Sequence, residues 1–107
     1  MVSMPGLGDA DACDRAAGDC DRAAQQLDGP IQSLSSVRGT VSSGWQGTAA
    51  DSLGQSVQDR QKTLRQAQTD LRGAASSLRA AASQIRDAYR AQQQRQAQQR
   101  SSAALSH

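Results

Sequence analysis

The sequence predicts an all-α fold, an antiparallel helix-turn-helix hairpin of coiled-coil type, and three observations carry that reading. Apolar residues recur at alternating steps of three and four along two long segments, the pattern of helices that pack along their length. A Ser/Gly-rich hexapeptide, Ser42-Ser43-Gly44-Trp45-Gln46-Gly47, parts the two segments. The apolar content is also unsuited to a deep core. Of 107 residues 36% are hydrophobic, but 19 of these are Ala, Leu, Ile and Val together number 14, and Trp45 and Tyr89 are the only aromatics. Burying a large aliphatic side chain yields roughly 1.5–3 kcal/mol, whereas ordering each residue costs roughly 1–2 kcal/mol. A lone hairpin of this composition stands near break-even, so a partner is implied.

Residues 1–8 read as a flexible N-terminus and 9–92 as the hairpin. In the first helix, about 9–42, the apolar series is Ala10, Cys13, Ala17, Cys20, Ala24, Leu27, Ile31 and Leu34. Asp9 or Asp11 suits the capping position at its start. Asp28-Gly29-Pro30 interrupts the pattern, because Pro30 has no N–H for the carbonyl of Gln26 and costs about 3 kcal/mol inside a helix. Leu27, Ile31 and Leu34 nevertheless keep phase across it, so one kinked helix is expected rather than two separate ones.

The turn occupies 43–47, with Gly47 and Gly44 as positions for positive φ. Thr48-Ala49-Ala50-Asp51 resembles a capping box that opens the second helix, about 48–92. Leu53, Val57, Arg60, Leu64, Ala67, Leu71, Ala74, Leu78 and Ile85 carry its stripe, with a heptad unit recurring as Leu64-Arg65, Leu71-Arg72, Leu78-Arg79 and Ile85-Arg86. Residues 93–107 have no sustained apolar stripe and read as a low-complexity, Gln-rich, disordered tail.

A short turn makes the helices antiparallel neighbours. With its centre between Trp45 and Gln46, Leu27 meets Leu64, Leu34 meets Val57, Cys20 meets Leu71 and Cys13 meets Leu78. Ala24 and Ala17 meet Ala67 and Ala74, and Ile31 with Arg60 is the one layer that is not apolar. The same register sets Asp28, Asp21 and Asp14 beside Arg65, Arg72 and Arg79, either as solvated pairs that fix register or as stripes for a partner hairpin. From Gln84 to about Gln92 the second helix outruns the first. Ile85 and Tyr89 there form a docking surface unless Met4 and Leu7 fold over them.

Several function classes are excluded or weakened. No apolar run approaches the roughly 18 residues of a membrane span, and the N-terminal segment has no pattern of a Sec-type signal peptide. A surface-active helix on anionic lipid fits poorly with an Ala-rich face short of aromatics. Residues 1–44 carry six Asp against three Arg, while 45–107 carry nine basic residues against four Asp. Halves of opposite sign suit a complementary helix better than a polyanion, and with no Phe there is little for bases to stack on, so nucleic acid is not expected. The only His is His107, no nucleophile has a base beside it, and no convergent carboxylate pair is visible, so no catalytic residue is assigned and the chain is not read as an enzyme. Asp9, Asp11 and Asp14 lack the pattern of a calcium loop. Cys13 and Cys20 lie about 10.5 Å apart along a helix, too far for a mutual disulfide and too few for a zinc site. They are core positions or the site of a disulfide to another chain; no metal or cofactor is expected.

Trp45-Gln46-Gly47 between two amphipathic helices, followed by Thr48, Ala49, Ala50 and Leu53, is the most specific feature of the chain. Over roughly residues 9–92 the sequence resembles the WXG-motif family of hundred-residue type VII (ESX) secretion substrates, the early-secreted-antigen-like proteins. The resemblance implies that the hairpin pairs into a four-helix bundle dimer, that Trp45 and Gly47 form the turn motif, and that the protein leaves the cytoplasm folded by a Sec-independent route. Its partners would then be a WXG-type protein, as a heterodimer in preference to a homodimer, and the type VII secretion machinery. Leu64, Leu71, Leu78, Ile85 and Tyr89 are the candidate interface residues. The family's second signature, a Tyr followed four residues later by an acid, is half met by Tyr89 and Gln93, which implies that a signal-bearing partner, or the WXG-like region of a larger effector, travels with this chain. The competing reading is a coiled-coil adaptor or oligomerisation module of the cytosol that is never exported.

Overall fold

The computed structural model describes residues 6–44 and 46–105, and within them the chain is helical apart from short breaks. Helix α1 spans Leu7–Gln26, α2 spans Asp28–Gly44 and α3 spans Thr48–Leu105. No strand occurs among the described residues. The chain divides into two compact units, Gly18–Ala75 and a second made of Met1–Ala17 with Ser76–His107.

In the Gly18–Ala75 unit, the end of α1 and all of α2 run antiparallel to the start of α3. Gln61 bonds to Ile31 and, further along α3, Gln68 bonds back to Ala24. The expected kink is a full break of one residue. Because Pro30 brings no amide, the helical ladder cannot continue, and Leu27 donates instead to the Ala24 carbonyl three residues back, at 3.2 Å. Ile31 then donates to the Leu27 carbonyl at 3.1 Å and the ladder resumes. Ala24 and Ile31, seven residues apart, are both buried, so phase survives the break.

The seam lies one residue further along α3 than a turn centred between Trp45 and Gln46 sets it. Gln61, Gln68 and Ala75 are buried, whereas Arg60 and Ala74 are exposed and Ala67 is half-buried. Val57 is buried as expected, but Leu64 and Leu71 are only half-buried. The physical reason is that a helix with a single neighbour covers a narrow line of contact, and small residues let the axes approach closely along it. Large side chains flank that line. No large side chain is fully buried among the described residues, and Ala24 and Ala75 are wholly covered.

The other unit begins at a well-formed cap. The Gly6 carbonyl accepts from Asp9 and Ala10, and the Asp9 carboxylate reaches back to the Gly6 amide at 3.0 Å. Asp9 is thus an N-terminal cap partner, although the helix starts at Leu7. Ala10, Ala17 and Ala82 are fully buried, and Cys13, Leu78, Ile85 and Tyr89 are half-buried. The expected disordered tail differs most: α3 continues as helix to Leu105, with every residue from 93 to 105 exposed. Ala, Gln and Arg are good helix formers and no Gly or Pro intervenes, so propensity sustains a helix there without burial.

Candidate partner-binding face and turn

The turn joins α2 to α3 through Gly47, whose φ is +101°, the one positive value among the described residues. A Cβ at Gly47 would meet nothing within 4 Å, so backbone conformation alone demands glycine there. Gly44 is instead the last residue of α2 and takes no positive φ. The Gly47 carbonyl accepts from the Asp51 amide at 3.1 Å, so Gly47 occupies the capping place expected of Thr48, which is the first helical residue. Asp51 lies in the first turn of α3, where the helix dipole favours it. Trp45 lies outside the described residues.

On the Gly18–Ala75 unit an open groove is lined by Pro30, Leu34 and Val37 of α2 and by Arg60, Thr63 and Leu64 of α3. Its surface is almost entirely apolar. Leu34 and Leu64 are half-buried, and Val37 is 43% exposed. Steps of four and three bring Pro30, Leu34 and Val37 to one face of α2, and the kinked seam leaves that face beside Leu64 without covering it. A contiguous apolar face of this kind is what a ridge of another amphipathic helix would fill.

The seam beside the groove is held by two glutamines that periodicity alone did not single out. Gln61 Nε2 donates to the Ile31 carbonyl at 3.0 Å and to Ser35 Oγ at 2.7 Å. Gln68 Nε2 donates to the Ala24 carbonyl at 2.8 Å and to Asp28 Oδ1 at 2.7 Å. In each case one amide spans a backbone oxygen and a side-chain oxygen four residues later across the seam, both on α2 for Gln61 and on either side of the α1–α2 break for Gln68. No buried side-chain nitrogen or oxygen of the described residues lacks a partner. The signal in the sequence was the heptad interval of Gln61, Gln68 and Ala75, which marks the seam of this unit once Gln is admitted as a core residue. Asp28 accepts from Gln68, where the turn-centred register sets Arg65 beside it.

In the second unit Arg86 donates to Asp14 at 2.6 Å and to Asp11 at 3.0 Å, fastening α3 to the start of α1. These bonds, Asp14 first, hold the guanidinium pKa above its usual value. Ile85 precedes this clamp, and Tyr89 and Gln93 follow on successive turns of α3, Tyr89 half-buried and Gln93 exposed. Leu64 belongs to the apolar groove, and Leu71 lies half-buried in the same unit. Leu78, Ile85 and Tyr89 belong to the other unit. Cys13 and Cys20 are free thiols, both half-exposed. No group of three or more His, Cys, Asp or Glu among the described residues is arranged to hold a metal.

A family profile described as proteins of 100 residues with WXG matches residues 8–90, which takes in both arms and the turn. The chain belongs to the WXG100 family. Among curated proteins and among solved structures, nothing matches it. WXG100 proteins are small secreted substrates of type VII systems and typically pair with partner proteins in secretion. No helix among the described residues is long and apolar enough to cross a membrane. For a WXG100 chain the tryptophan of the motif is here Trp45, and the glycine is the left-handed Gly47 described above.

Proposed function

We propose that this WXG100 chain is a non-enzymatic subunit of a type VII substrate pair, which binds a second helical hairpin to complete a four-helix bundle and is exported folded. The observation that carries the reading is the uncovered apolar groove at Leu34, Val37 and Leu64, beside a thin seam that buries no large side chain fully. A hairpin that buries so little on its own gains most of its apolar burial by pairing. Leu71, Leu78, Ile85 and Tyr89, all half-buried, extend the same role along α3. Because Gln93 offers no carboxylate four residues after Tyr89, the signal for export belongs to the partner.

The test is co-expression with WXG-type proteins encoded beside it, followed by secretion assays in a host with an intact and a disabled type VII system. A stable complex that reaches the medium only with the intact system supports the reading. Retention of the chain in the cytosol in both hosts, with pairing intact, favours the adaptor reading instead. Trp45→Ala is expected to impair assembly or export more than removal of the chain beyond Arg95.

A further inference from the structure

The apolar groove of the Gly18–Ala75 unit holds a single charge. Arg60 stands in its lining among Leu34, Val37 and Leu64, and no carboxylate lines the groove. Arg60 is exposed and has no ion-pair partner among the described residues. Three acids of the unit are engaged elsewhere, Asp28 with Gln68, Asp19 with Arg22 and Asp70 with Gln66, and neither Asp51 nor Asp59 lines the groove. We propose that Arg60 determines which partner fills this groove, selecting a different helical chain that presents a carboxylate to it and rejecting a second copy of this chain. The proposal rests on the pairing reading above.

The argument is one of desolvation. In a twofold pair of identical chains the same patch faces itself. A second copy would bring matching leucines, but its groove would also bring a second Arg60 and no lining acid. A guanidinium does not shed its proton, so covering it leaves either a buried cation without a counter-ion or a packing defect where its head escapes to water. A carboxylate on the partner reverses the sign of this effect, because guanidinium and carboxylate make paired, charge-assisted hydrogen bonds in a low-dielectric seam. The groove thus combines a general apolar attraction with one discriminating contact, a design in which specificity comes from the penalty on the wrong partner.

The full chain and its Arg60→Leu, Arg60→Lys and Arg60→Glu variants, compared by sedimentation across roughly a hundredfold range of concentration, test it. Arg60→Leu is expected to self-associate about tenfold or more tightly than the wild type, and Arg60→Lys to behave as the wild type does. Mixing the wild type with the Arg60→Glu chain supplies a carboxylate in the same groove, and mixed pairs should form in preference to either self-pair. Leu34→Ser, added to Arg60→Leu, should abolish the gained association if the groove is its site. Tight wild-type self-association that Leu34→Ser abolishes would overturn the role of Arg60 while leaving pairing through the groove intact. Monomers throughout, including Arg60→Leu, would overturn both. Mixed pairs no stronger than self-pairs would overturn the choice of a carboxylate-bearing partner.

Discussion

The side chain of Gln68 is bonded to the main chain of Ala24 at the point where the α1 ladder stops. Ala24 receives the Leu27 amide and the Gln68 amide together, while Gln68 also holds Asp28, the first residue of α2. One side chain of α3 therefore bridges both sides of the break that Pro30 creates. Gln68→Leu keeps the approximate volume but takes one donor from Ala24, which keeps the Leu27 amide, and one from Asp28, and should destabilise the chain by about 1–2 kcal/mol. Thermal unfolding followed by circular dichroism measures this, and a melt unchanged from the wild type would contradict the bridging role.

Gly47 and Gly44 make a matched pair of tests at the turn. Gly47→Ala forces a side chain into a left-handed conformation and should cost about 1–2 kcal/mol. Gly44→Ala, in a helical residue with open space around it, should be neutral or stabilising by up to about 1 kcal/mol. Denaturant titration of both variants distinguishes them. Equal effects would mean that the left-handed geometry at Gly47 carries no weight.

Arg86→Ala should lower stability slightly at low ionic strength and not at all in high salt, because its two bonds lie at the surface where ions screen them. Thermal melts at two salt concentrations provide the comparison. A loss that persists undiminished in high salt would point to packing of the Arg86 stem instead.

The helical tail should be dispensable for folding. Truncation after Gln92 removes a segment whose described residues, 93–105, are all exposed, so stability should stay within about 0.5 kcal/mol of the full chain while the helical signal falls. The same truncation should spare pairing if the interface lies at the groove.

At the far end of the candidate interface, Ile85→Ser and Tyr89→Ala should weaken pairing or export while leaving helicity nearly unchanged, since neither side chain is fully buried within its own unit. Gln93→Glu should increase export without a partner if a missing carboxylate is what makes the chain dependent on one. Co-purification and secretion assays read out all three. Unaltered pairing and export would confine the interface to the groove.

The helical architecture and the turn were legible because they depend on local chemistry: three-four periodicity, a Ser/Gly break and a motif at the bend. The series Val57, Leu64, Leu71, Leu78 and Ile85 was placed on the right side of α3 for the same reason. The second line of the seam was not, because hydropathy favours Ala67 and Ala74 over Gln61 and Gln68. What admits a buried glutamine is the presence of two oxygens four residues apart across the seam, and that is a tertiary fact. The tail shows the converse. Its lack of an apolar stripe suggested disorder, but a run of Ala, Gln and Arg needs no stripe to be helical.

A core built from alanine has a calorimetric consequence. Alanine exposes little apolar surface when a helix pair comes apart, so the heat capacity of unfolding should fall below the ordinary value of about 12–15 cal/mol/K per residue. The stability curve of the isolated chain is then shallow, nearly level between cold and warm, and its transition is broad. Covering Leu34, Val37 and Leu64 with a partner would supply what folding alone lacks, a large negative heat capacity change on association. With a partner over that groove, the temperature dependence usually ascribed to folding would be displaced onto binding, and the complex, unlike the chain, should denature in the cold.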